Sequence, residues 1–216
     1  MKQGKLVVIE GIYGTGKYAV RLAEKLREAL VRQGKEVYEI DSPDTGRARL
    51  MGAEDLDCGW RYGLFKPDFF YELASRARAC SVIRDELRSG KVVLCKNFTI
   101  ASIAYAAIKG HNWFREDLNV LEARARGLNF GGEVSPDLTI YLDLAPEIAL
   151  KNLGSRIEGI FTPDDIRLQA ACYREELSKL PANQVALIDA TKPDVMVAAE
   201  ALEHVSRILQ HQDAEM

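Results

Sequence analysis

The clearest chemistry lies near the start of the chain, in Gly11, Ile12, Tyr13, Gly14, Thr15, Gly16 and Lys17. Their order matches all but the last position of the phosphate-binding pattern G-x-x-x-x-G-K-[S/T]. Glycines let the backbone turn tightly, so that successive N–H groups face one hollow, and a helix beginning there adds positive potential. Lys17 adds a mobile point charge suited to outer phosphates. The last position is Tyr18 instead of a small hydroxyl residue. A phenol extends much further from the backbone, so the usual contact with Mg2+ is lost. The residues leave open whether the metal is held in another way or not held.

Such a loop needs a strand before it and a helix after it. Lys5–Ile9 is a short apolar run with β-branched residues, and beyond Lys17 the apolar Val20, Ala23, Leu26 and Leu30 recur at helical spacing until Gly34. Further strands are expected at Glu36–Ile40, Lys91–Cys95, Leu138–Leu142 and Gln184–Ile188. Helical patterns cover 68–89, 100–109 and 114–126, and Ala198, Leu202, Val205 and Leu209 mark a closing helix. Pro146 suits a first helical turn, and Thr162-Pro163-Asp164-Asp165 reads as a capped helix start. Residues 41–66, with Pro43, Gly46, Gly52, Gly59 and Gly63, read as a long loop with some helix. Alternating strands and helices predict one α/β domain over residues 1–216, its mostly parallel sheet covered on both faces.

Composition narrows the function. The 216 residues are 47% hydrophobic and 28% charged, which suits a globular core and argues against a disordered or disulfide-built chain. Twenty-nine basic against 32 acidic residues give a charge of -3, so no basic field points to nucleic acid. No apolar run approaches the roughly 20 residues of a membrane span, and the first residues do not read as a secretory signal. Cys58, Cys80, Cys95 and Cys172 are scattered, and with His111, His204 and His211 they form no zinc spacing. Reduced, buried thiols in a cytoplasmic protein are expected.

Several stretches together resemble the thymidylate kinases, P-loop nucleoside monophosphate kinases. VVIEGIYGTGK is similar to the family's E-G-x-D-G-x-G-K, and Leu73-Ala-Ser-Arg76 falls where the family has A-A-D-R. SGKVVLCKNFTIASIAYAA resembles G-x-V-V-x-D-R-Y followed by S-x-A-Y-Q. Pro136-Asp-Leu-Thr-Ile-Tyr-Leu-Asp143 is close to P-D-L-T-x-x-L-D, Ser155-Arg-Ile-Glu158 resembles the lid segment, and Leu187-Ile-Asp-Ala190 the family's I-D-A. The resemblance runs from about Lys5 to Ile208. It implies a P-loop NTPase fold with a five-stranded sheet, a short lid at about 151–163, a homodimer, ATP as phosphoryl donor and dTMP as acceptor. It also implies that Lys17 and the loop amides cradle the donor, while Arg76 and Arg156 clamp the acceptor and the transferring phosphate. Tyr71, Lys96, Phe98 and Tyr105 fall where the acceptor is held.

Departures from the family pattern gather at the same place. The family's D-R-Y is Lys96-Asn97-Phe98, and its P-loop acid is Tyr13. The turn after the second strand is Asp41-Ser42-Pro43, the stacking aromatic is replaced by Glu72, the glutamine after Tyr105 by Ala106, and a lid arginine by Asn152. Two readings follow: a kinase with a rebuilt site, or a nucleotide-binding scaffold that has lost catalysis. Lys96 stands either where Mg2+ and its carboxylate would sit, or as a solvated lysine at a strand end. Asp143 is the remaining candidate metal ligand. Lys109, the His111–Trp113 segment and Arg124–Arg126 are read as ordinary loop and surface residues.

Overall fold

A computed structural model describes residues 3–40, 65–108, 115–127, 132–154 and 161–214, with the side chains of 65–72, 115–119 and 211–214 left undescribed. The expected loop at 41–66 therefore lies almost wholly outside the described residues. The strands are β1 (Lys5–Glu10), β2 (Val37–Ile40), β3 (Val92–Lys96), β4 (Leu138–Asp143) and β5 (Val185–Asp189). The helices are α1 (Gly16–Arg32), α2 (Phe65–Arg88), α3 (Thr99–Ile108), α4 (Arg115–Gly127), α5 (Pro146–Leu153), α6 (Pro163–Ser178) and α7 (Asp194–Ala214). A 3-10 turn, Ala182–Gln184, leads into β5.

All five strands run parallel in the order β2-β3-β1-β4-β5. The order follows from helical crossovers, which let each strand return in the same direction. The central strands read as nearly continuous apolar runs because both of their faces are buried. On one face Val7, Ile9, Leu94, Ile140 and Leu142 join Leu22, Leu26 and Leu30 of α1 and Val197, Ala201 and Val205 of α7. On the other, Leu6, Val8, Val93 and Cys95 pack with Cys80 and Ile83 of α2. Cys80, Cys95 and Cys172 are buried, and no disulfide joins them.

Local signals set the element ends. Gly34 adopts φ +73 just after α1, a conformation that strains a residue with a Cβ. At the expected capped start of α6, Thr162 and Asp165 bond reciprocally: the Asp165 N–H donates to Thr162 Oγ1 at 3.2 Å, and the Thr162 N–H to Asp165 Oδ2 at 2.7 Å. Pro146 begins α5. Val20, read as part of the buried stripe of α1, is instead 43% exposed, and Ala19 and Leu22 carry that turn inward. Asp137 fixes the register of β1 against β4, accepting from Lys5 Nζ at 2.9 Å and the Leu6 N–H at 2.8 Å. Packing of α1 against α7 and of α3 against α6 completes the two outer layers.

Candidate nucleotide site

β1 ends at Glu10 and α1 begins at Gly16, so the glycine-rich segment is the connection at the carboxyl end of the central strand. Thr15 does not cap α1 with its side chain. Its hydroxyl donates back to the Ile12 carbonyl at 2.6 Å, and its N–H reaches the same oxygen at 3.1 Å. At the start of α1 the Tyr18 and Ala19 N–H groups turn back to the Thr15 carbonyl at 2.8 and 3.1 Å, and the first turn contains no acidic residue, so this end keeps its positive potential. Gly14, at φ +92, lies against α5: a Cβ there would sit 2.4 Å from the Ala149 carbonyl oxygen. The loop is thus seated on α5 through a contact that only glycine permits. The Tyr13 N–H is turned away to Gln169 Oε1 at 2.8 Å.

Lys17 Nζ donates to Asn152 Oδ1 at 2.9 Å and stands 5.1 Å above the Tyr18 ring. Asn152, in the last turn of α5, donates in turn to the Gly14 carbonyl at 3.2 Å and lies 3.5 Å from the Tyr18 hydroxyl. The partner of Lys17 is therefore neutral, and the lysine's charge remains available to an anion. Sequence reasoning noted Asn152 only as a lost arginine, because the 135 residues separating it from Lys17 hide their contact.

On the opposite side of β1 the strand ends are occupied differently. Glu10 is buried, accepting from the Phe98 N–H at 2.8 Å and the Tyr173 hydroxyl at 3.0 Å. Burial pushes its carboxyl up to about 7, against the opposing effect of these two bonds and of Arg76. Arg76 is 3% exposed, with Nε 3.2 Å from Glu122 Oε2, Nη2 at 2.9 Å from both the Phe98 carbonyl and Ser102 Oγ, and Cζ 4.8 Å from the centre of the Phe98 ring. Glu122 has no exposure, and burial holds its carboxyl above the usual range in spite of Arg76. Arg76 Nη1 and Glu122 Oε1 have no hydrogen-bond partner among the described residues.

The resemblance implied that Arg76 clamps the acceptor phosphate; in the structure its guanidinium pairs with Glu122 and fastens the β3–α3 turn, with Nη1 unpartnered among the described residues. Phe98, expected at the acceptor, is buried beneath it. Tyr105 is half-buried and meets Tyr13 edge-on at 6.5 Å, and Tyr13 stacks on Phe161 at 4.7 Å. That aromatic group was missed because Phe161 carries no motif. Lys96 ends β3 beside Ile9, and Asn97 follows at φ +57, donating its N–H to the Ile9 carbonyl at 2.9 Å. Asn is among the few side chains that accept this left-handed geometry. Asp143 stands 4.0 Å from Arg174 of α6. Arg156 lies outside the described residues, as does the Tyr71 side chain.

The donor set does not fit a divalent cation held in the usual way. The hydroxyl following Lys17 is a phenol directed to Asn152, and no cluster of three or more His, Cys, Asp or Glu side chains able to hold a metal exists among the described residues.

A parallel α/β sheet with a glycine loop between its central strand and a helix defines the P-loop NTPase fold. The family model described as Thymidylate kinase matches residues 9–201, and the chain belongs to that family. A thymidylate kinase of Paracidovorax citrulli is 30% identical over 222 residues, covering 95% of this chain and 94% of its own length. One from Desulfovibrio desulfuricans is 28% identical over 216 residues, with coverages of 94% and 96%. A probable thymidylate kinase of Methanosarcina acetivorans is 32% identical over 161 residues, 72% of each chain.

Proposed function

We propose that this chain is a nucleoside monophosphate kinase that transfers the γ-phosphoryl group of ATP to dTMP, giving dTDP and ADP. The observation that supports the reading is the glycine loop, seated on α5 at Gly14 and presenting Lys17, whose partner among the described residues is the neutral Asn152. In the reaction an acceptor phosphate oxygen forms a bond to the γ-phosphorus, and the bond to the β-phosphate oxygen breaks. Positioning and charge stabilisation supply most of the catalysis in such transfers. The loop amides hold the donor phosphates, and Lys17 follows the charge that moves onto the leaving oxygen. Arg156, in the lid, is the guanidinium suited to the transferring group. Arg76 is a positioning residue, fixing the Phe98 carbonyl and Ser102 at the edge of the acceptor pocket. Tyr105, Tyr71 and Lys96 remain the side chains proposed to meet the acceptor. A homodimer and a cytoplasmic setting belong to the same reading.

An ADP-release assay over a panel of nucleoside monophosphates tests this. Turnover highest with dTMP is expected. Equal background rates for every acceptor, alongside ATP binding, would contradict the kinase reading and leave a nucleotide-binding scaffold.

A further inference from the structure

The missing Cβ of Gly14 brings the glycine loop down onto the Ala149 carbonyl of α5. Asn152 stands three residues after Ala149, so both lie on the same face of that helix. From there its side chain reaches two parts of the loop at once. Its Nδ2 donates to the Gly14 carbonyl at 3.2 Å, and its Oδ1 accepts from Lys17 Nζ at 2.9 Å. The Tyr18 hydroxyl lies 3.5 Å from the same Nδ2, and the Tyr18 ring centre is 5.1 Å from the Lys17 ammonium, within reach of a cation–π contact.

The chemistry of the two partners selects an amide. An ammonium only donates and a carbonyl only accepts, so a group joining them must accept at one end and donate at the other. The orientation of the Asn152 amide follows from the same rule. An arginine there could donate to Gly14 but could not accept from Lys17. An aspartate could accept from Lys17, but it would repel the Gly14 carbonyl and set a negative charge against the ammonium. An asparagine meets both partners and leaves the charge of Lys17 in place.

We infer that Asn152 is a positioning residue for the donor nucleotide: its amide, with the Tyr18 ring, holds the Lys17 ammonium at the glycine loop before the phosphates arrive. Lysine has one of the largest side-chain entropies, so ordering it in advance removes part of the cost of binding. The bond to Asn152 uses one of the three ammonium donors. Tyr18, which departs from the small hydroxyl of the phosphate-binding pattern, gains a role as the surface on which Lys17 rests. The inference rests on the phosphate-loop reading above and adds to it a residue from outside the loop.

Calorimetric titration of ATP into the full chain tests it, in a double-mutant cycle with Lys17→Ala. Asn152→Ala is expected to weaken ATP about fivefold, the scale of one neutral hydrogen bond, and less than about twofold once Lys17 is alanine. Asn152→Asp is nearly isosteric and should weaken ATP by about tenfold or more, because its carboxylate pairs with the ammonium and faces the phosphates. Equal losses from Asn152→Ala with and without Lys17 would overturn the inference, since the amide would then act through Gly14 alone. Affinity equal to the parent's in Asn152→Asp would overturn it as well. Both results leave the phosphate loop intact. No ATP binding by the parent, or affinity unchanged by Lys17→Ala, would overturn the inference and the phosphate-loop reading together.

Discussion

The two faces of the sheet make different use of polar residues at the same strand ends. Toward α1, Lys17 and Lys96 stand at least partly accessible, and the contact recorded for Lys17 is to a neutral amide. Toward α3 and α6, Glu10, Arg76, Glu122 and Tyr173 are buried and bonded to one another or to the Phe98 backbone. The Lys17 ammonium, exposed and held by a neutral amide, is available to a ligand. Charge sealed in the interior fixes the geometry of the turn that carries the site.

The buried side should yield the largest effects on stability. Arg76→Ala strands Glu122 without its ion-pair partner, and is expected to cost about 3–5 kcal/mol in urea denaturation, whereas Arg76→Met with Glu122→Leu should recover most of the loss. A loss confined to dTMP affinity, with stability unchanged, would return Arg76 to the ligand side.

Glu10 gives the next effect, and its sign is fixed. Its folded-state pKa is raised from 4.5 to about 7, so its neutral form is the one the fold prefers. The stability it contributes is complete below pH 4.5 and is lost as pH rises through about 7, with a difference of about 3 kcal/mol across that window. Glu10→Gln should be more stable than the parent at pH 8 and should lack this part of the pH dependence. Equal slopes for parent and variant between those pH values would show that Glu10 is solvated.

Gly14→Ala joins the two regions. The added methyl meets the Ala149 carbonyl at 2.4 Å and imposes a left-handed φ on alanine, so about 1–3 kcal/mol of stability should go, together with nucleotide binding. Thermal melting with and without ATP reads both losses.

Much of this was legible from local sequence. The glycine loop, the capped helix start at Thr162, the first-turn Pro146 and the alternation of strands and helices are each set within a few residues, and all appear in the structure. What stayed hidden depends on distant pairs: Asn152 with Lys17, Arg76 with Glu122, Tyr13 with Phe161. No spacing rule joins them, because the fold alone brings them together. The orientation of Asp143 was accessible in principle, since counting alternate positions from Ile140 and Leu142 already turns it from α1. The exposure of Val20 shows the reverse error, an apolar residue placed on the helical stripe one position away from the face that packs.

The most direct measurement is calorimetry of ATP binding to Lys17→Ala against the parent chain. Loss of this ammonium from the open side should weaken affinity by about tenfold or more, without lowering the melting temperature. Unchanged affinity in a folded variant would mean that the glycine loop does not hold the donor's phosphates.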